Sequence, residues 1–124
     1  MAYVLVADDD RPLCESMRLM LMAAGHEVLE ARDGRACEDM VERREPDLVI
    51  LDILMPEKEG IEVIADLKGR HPKLKILAIS GGGRHASGHD FLTLARRFGA
   101  DATLEKPFKR GEFISSVQSL LTKH

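Results

Sequence analysis

The residues with chemistry to offer are Asp8, Asp9, Asp52, Ser80 and Lys106. Each stands where a short apolar run ends: 3–7 before Asp8 and Asp9, 48–51 before Asp52, 74–79 before Ser80, 102–104 just before Lys106. Three carboxylates gathered in one place repel one another. Two unit charges about 5 Å apart cost roughly 3 kcal/mol at an effective dielectric near 20. An ammonium offsets part of that, and a hard divalent cation offsets more. Mg²⁺ suits a site of few carboxylates completed by waters and phosphate oxygens. A carboxylate, a hydroxyl and an ammonium around such an ion suit phosphoryl transfer, where positioning and charge do most of the work. Taken singly, each acid is equally well read as a strand-end turn residue. Their joint position at strand ends, with Lys106 beside them, is what points to a site.

These groups meet only if the strands run side by side in one direction. The unbroken apolar run 48–51 suits a parallel strand buried on both faces. Pro56 cannot continue a ladder, so that strand stops near Asp52. Strands are expected at 3–7, 28–31, 48–51, 74–79 and 102–104. Helices are expected between them. Asp10 caps the first, which carries Pro12 in its first turn and ends at Gly25. Its apolar residues Leu13, Met17, Met20, Leu21 and Ala24 recur at helical spacing. Asp33-Gly34 turns into a helix at 36–44, with Met40 and Val41 inward. A third spans 61–68, stopped by Gly69 and Pro72. A fourth runs over 90–98 and a fifth over 110–121, the latter with ordinary core spacing. Strict alternation implies an α/β, doubly wound parallel sheet of (βα)5 type with right-handed crossovers. The flavodoxin-like strand order 2-1-3-4-5 is expected, with its switch point between strands 1 and 3. Neighbouring strand ends then lie roughly 4.8 Å apart along one edge.

Bulk properties narrow the class. The 124 residues are read as one domain, 1–124, long enough for one core. Hydrophobic residues make up 44% and charged residues 31%, an ordinary globular balance. A net charge of −3 without a basic block argues against nucleic acid or an anionic membrane as partner. No apolar run approaches the roughly 18 residues of a membrane helix, and no signal peptide is read at the start. Cys14 and Cys37 are expected as reduced thiols on two different helices of a cytoplasmic protein.

Asp8-Asp9, Asp52 with Met55-Pro56 and Gly60, Ser80, and Lys106-Pro107-Phe108 together resemble the receiver domain of two-component response regulators. The likeness runs through the whole chain in order. It implies that Asp52 accepts a phosphoryl group from a histidine kinase or a histidine phosphotransfer protein. It implies Mg²⁺ held by Asp8, Asp9, Asp52 and the backbone carbonyl of Leu54. Ser80 would bond the phosphoryl group, Lys106 would pair with it, and Pro107 would follow a cis peptide. With no output module seen, the expected partner is a downstream target protein, and the expected state a monomer or weak dimer.

Several positions depart from the family pattern. Thr103 stands where an aromatic switch residue is usual. Leu54 and Gly82 offer no polar side chain to orient water, so a long-lived phospho form is expected. The stretch 80–89 is longer than usual, and its glycines make it the expected route of the signal. No Gly-Lys-Ser/Thr follows them, which argues against a nucleotide loop. His85 and His89 lack a third ligand nearby, so they are read as loop residues and not as a metal site. Two other classes remain in view. A Mg²⁺-dependent phosphohydrolase using Asp52 lacks a second carboxylate two residues on, where Leu54 stands. An interaction module without phosphorylation leaves the acid set and Lys106 unexplained.

Overall fold

The three central strands are apolar at successive positions and buried, as strands covered on both faces require, whereas the edge strands 27–31 and 102–105 carry polar residues and are partly exposed. The structure, a computed structural model, describes residues 1–53, 60–81 and 88–122, with side chains in the last segment from residue 92. In chain order the elements are β1 Tyr3–Ala7, α1 Arg11–Ala23, β2 Glu27–Ala31, α2 Gly34–Arg43, β3 Leu48–Asp52, α3 Gly60–Arg70, β4 Lys75–Ser80, α4 Gly88–Phe98, β5 Ala102–Glu105 and α5 Arg110–Thr122. The sheet order is β2-β1-β3-β4-β5 and every pairing is parallel, as expected. Side chains alternate faces along a strand. Leu5, Ala7, Val49, Leu51, Ile76 and Ala78 therefore meet α2, α3 and α4 on one face. Val4, Val6, Leu48, Ile50, Leu77 and Ile79 meet α1 and α5 on the other. Both thiols are free and buried within these layers, Cys37 in the first and Cys14 in the second.

The helix ends show which local signals prevailed. Asp10 caps α1, its side chain accepting the Leu13 N–H at 3.1 Å. Asp33 caps α2 in the same way through the Ala36 N–H at 2.8 Å, so that helix starts at Gly34, before the expected residue 36. Gly69 does not stop α3, which continues to Arg70. A glycine inside a helix costs about 1 kcal/mol. Burial of Leu67 and its carbonyl's bond from the His71 N–H at 2.7 Å outweigh that, and the stop falls at Pro72.

Two aspartates align the strands from the opposite edge. Asp47 accepts the Tyr3 N–H at 2.8 Å and returns its own N–H to the Tyr3 carbonyl at 2.8 Å. Asp101 treats Ile76 alike, at 2.8 and 2.9 Å, and pairs with Lys68 at 2.8 Å. Fixing the strand starts fixes where the carboxyl ends fall.

The turn after α3 carries a pH-sensitive tie. The His71 ring places Nδ1 2.7 Å from Glu45 Oε1 and Nε2 3.0 Å from Glu42 Oε1. The bond to Glu42 chiefly raises the His71 pKa, burial opposes it, and Glu45 adds to the rise. A raised histidine stabilises the fold fully below its unfolded value of about 6.5 and loses that contribution as pH climbs through the folded value. The wild type should therefore melt above His71→Gln in mild acid, with the gap closing as pH climbs above about 6.5. A gap that does not change with pH would contradict this role of the tie.

Candidate functional site

The carboxyl ends of four strands converge. Asp8 follows β1 directly, Asp52 closes β3, Ser80 closes β4, and Lys106 follows β5. Asp8 and Ser80 are fully buried, Asp52 is 5% exposed, and Asp9 is exposed. The Lys106 N–H donates to the Ser80 carbonyl at 2.8 Å, which carries the ladder one step beyond β5 and anchors the lysine. Its Nζ then reaches Asp8 Oδ2 at 3.0 Å and Asp52 Oδ2 at 3.1 Å. The Lys106–Pro107 peptide is cis, as the resemblance implied. Asp8 is held on its other side too: its Oδ1 accepts the Asp10 N–H at 2.9 Å, an Asx turn. Beneath it, the Cys14 thiol donates to the Asp8 carbonyl at 3.1 Å.

Carboxylate oxygens of Asp8, Asp9 and Asp52 all lie within 4.8 Å of one another. Among the described residues the ammonium of Lys106 stands beside them, and these four groups sum to a formal charge of −2. Burial raises the Asp8 pKa above its ordinary 3.8, and the charge of Asp52 adds to the rise. The Asp10 amide and Lys106 counteract only part of this. Burial would lower the Lys106 pKa, but its contacts with Asp8 and Asp52 outweigh that and raise it. The donor set is all oxygen, and ligands of Mg²⁺ at about 2.1 Å stand roughly 3–4 Å apart, so modest side-chain rotation suffices. The residues fit such an ion.

A protonation consequence follows. A carboxylate with a raised folded pKa destabilises the fold at neutral pH and is relieved as pH falls through that value. Asp8→Asn keeps an oxygen for the Asp10 N–H and removes the charge. Without metal it should melt above the wild type at neutral pH, and the gain should fade toward about pH 4. It should also blunt the rise in Tm caused by excess Mg²⁺. A variant that melts lower at neutral pH, or responds fully to Mg²⁺, would contradict this reading of Asp8.

Asp8, Asp9, Asp52, Ser80 and Lys106, all expected from the sequence, come to one edge of the sheet. Leu54, Met55 and Pro56 lie outside the described residues, as do Gly82, Gly83 and His85 and the side chain of His89. Thr103 accepts a bond from Arg96 Nε at 3.2 Å. The turn at Asp8 and the thiol beneath it were not expected from the sequence. The Asp8-x-Asp10 spacing was the available signal for the first.

A parallel doubly wound sheet with this acid set and lysine defines a class, the response regulator receiver domain. The family of that description matches residues 4–118, and the chain belongs to it. It is 36% identical over 120 residues to the response regulator MprA of Mycolicibacterium vanbaalenii, covering 97% of this chain and 50% of that protein. MprA of Mycobacterium tuberculosis H37Rv gives the same identity and coverage. The chain thus spans half the length of these curated relatives. Among solved structures, the receiver domain of NtrX from Brucella abortus superposes with a TM-score of 0.90 at 30% identity, over 98% of this chain and 99% of that one. Among the described residues no helix is long and apolar enough to cross a membrane.

Proposed function

We propose that this receiver domain takes up a phosphoryl group on Asp52. The observation that carries the reading is the single ammonium of Lys106 bonded to both Asp8 and Asp52 at the rim of a three-carboxylate cluster. Asp8, Asp9 and Asp52 would hold Mg²⁺, with the Leu54 carbonyl as a further ligand implied by the family. The ion would supply positive charge to the phosphoryl oxygens. Asp52 is the nucleophile and forms an acyl phosphate. Lys106 is already placed beside Asp52 and would pair with the new group, and Ser80 would donate its hydroxyl. The exchange replaces one negative charge by about two and adds acceptor oxygens. Lys106 and Ser80 sit on adjacent strands joined by a backbone bond, so β4 and β5 can carry that change outward.

The donor is a histidine kinase or histidine phosphotransfer protein, and the output is a downstream target protein. Residues 1–124 act as one receiver unit in the cytoplasm, a setting in keeping with two free, buried thiols. Self-phosphorylation and loss of that group are its own chemistry. Turnover of an external ester is not part of the reading, because Leu54 occupies the place of a second acid.

Beryllofluoride, which mimics a phosphoryl group on a carboxylate, tests this without a cognate kinase. With Mg²⁺ it should raise Tm beyond Mg²⁺ alone, by mass action on the folded state. Asp52→Asn should show no such increment. An equal increment in that variant, or none in the wild type, would defeat the proposal.

A further inference from the structure

Beside the acid cluster lies a second feature that phosphoryl transfer to Asp52 does not by itself explain. A cleft of about 330 Å³ is lined by Asp9, Arg11 and Arg32. The parallel pairing of β1 and β2 creates it: Ala7 pairs with Ala31, so the turns that follow, with Asp9 and Arg11 on one side and Arg32 on the other, stand side by side. We propose that this cleft is an oxyanion subsite. It holds the carboxylate that leaves when an acyl phosphate donates its phosphoryl group to Asp52. The inference rests on Asp52 being the acceptor.

Three observations support it. Arg32 makes no hydrogen bond or ion pair among the described residues, so its guanidinium donors are unclaimed. Arg11 commits one nitrogen to Glu30 at 3.2 Å and is otherwise 66% exposed. A guanidinium presents paired donors that match a carboxylate. Asp9 belongs both to this cleft and to the acid set with Asp8 and Asp52, so the cleft borders the reacting edge. Charge gives the third. Asp8, Asp9, Asp52 and Lys106 sum to −2, which one divalent ion cancels. A dianionic donor then meets Arg32 at the rim, with Arg11, whose charge is shared with Glu30, beside it. The space exceeds a carboxylate and leaves room for waters, each taking about 30 Å³.

The step balances without a co-reactant. An Asp52 carboxylate oxygen forms a bond to phosphorus. The bond from phosphorus to the acyl oxygen breaks, and the carboxylate leaves with that electron pair. Negative charge grows on the leaving oxygen during the step, where a guanidinium favours it.

The test compares two small donors on the full chain with saturating Mg²⁺. Acetyl phosphate releases acetate, an oxyanion. Phosphoramidate releases ammonia, which is not one. Arg32→Gln should slow phosphorylation by acetyl phosphate roughly two- to fivefold, the size expected for a solvent-exposed ion pair. The rate with phosphoramidate should not change. Arg43→Gln, an equal charge change at the far end of α2, should affect neither. Equal loss with both donors, or no loss with acetyl phosphate, would overturn the subsite while leaving Asp52 as acceptor. No uptake by the wild type from either donor would fell both. A binding readout stands apart from turnover: the Arg32 Nε–H resonance should shift on titration with acetate at constant ionic strength, and a silent resonance would also overturn the proposal.

Discussion

Asp52→Asn is expected to abolish phosphoryl uptake from acetyl phosphate while leaving the fold intact. The loss should be complete, because the amide lacks the charged oxygen that attacks phosphorus and no other described acid has the same surroundings. Asp8 lies near enough to share Lys106, but its second oxygen is tied to the Asp10 N–H. Asp9 is exposed, and Lys106 makes no bond to it among the described contacts. The variant should remain folded because Leu48, Val49, Ile50 and Leu51 hold β3 in the core regardless of its last residue. It should even gain stability without metal, since one of three mutually repelling charges is gone. Intact mass with and without donor gives the uptake, and a thermal melt gives the fold. Full labelling of the variant would remove Asp52 from its role.

Gly60→Ala should be strongly damaging, because a methyl there meets backbone at closer range than at Gly25, Gly69, Gly81, Gly99 or Gly111. A Cβ at Gly60 would stand 2.3 Å from Ile53 Cα, 2.9 Å from the Ile53 carbonyl carbon and 3.0 Å from the Asp52 oxygen. All three are backbone atoms and cannot swing aside. The Gly60 N–H also donates to the Ile53 carbonyl at 3.1 Å, so the start of α3 is fastened against the end of β3. Relief requires moving one element from the other, at a cost of about 3 kcal/mol or more. That corresponds to roughly 10 °C in Tm for a domain of this size. The same displacement would shift Asp52, so phosphoryl uptake should fall along with stability. Gly69→Ala provides the contrast: it lies within α3 with nothing inside 4 Å of its Cβ. It should stabilise by about 0.5–1 kcal/mol. If Gly60→Ala melted like the wild type, the tight junction between β3 and α3 would be wrong.

That junction explains a feature legible in the sequence only as spacing. The eight-residue step from Asp52 to Gly60 is part of the family resemblance, and close backbone approach is its physical reason. Other parts were legible directly. Continuous apolar runs announce buried parallel strands, and polar residues at their ends must then share an edge. Strand order followed from alternation and handedness. Long-range anchors were not legible. Asp47 binds Tyr3 across 44 residues, and Asp101 binds Ile76 across 25. Nothing local distinguishes these from turn aspartates. The extent of α3 was missed because Gly69 carries a local stop signal that burial of Leu67 overrides. Arg32 was not legible as a site residue because Arg11 and Asp9 share a cleft with it only once β2 lies beside β1.

The position of the phosphoryl group is the most direct test of Asp52 as acceptor. Borohydride reduces an acyl phosphate to the alcohol, turning a phosphorylated aspartate into homoserine. The full chain should therefore be incubated with acetyl phosphate and Mg²⁺, reduced, digested and sequenced by mass spectrometry. One homoserine is expected, at position 52, and none when Mg²⁺ is chelated. Homoserine at position 8 or 9, or none anywhere in a chain that binds Mg²⁺, would contradict it.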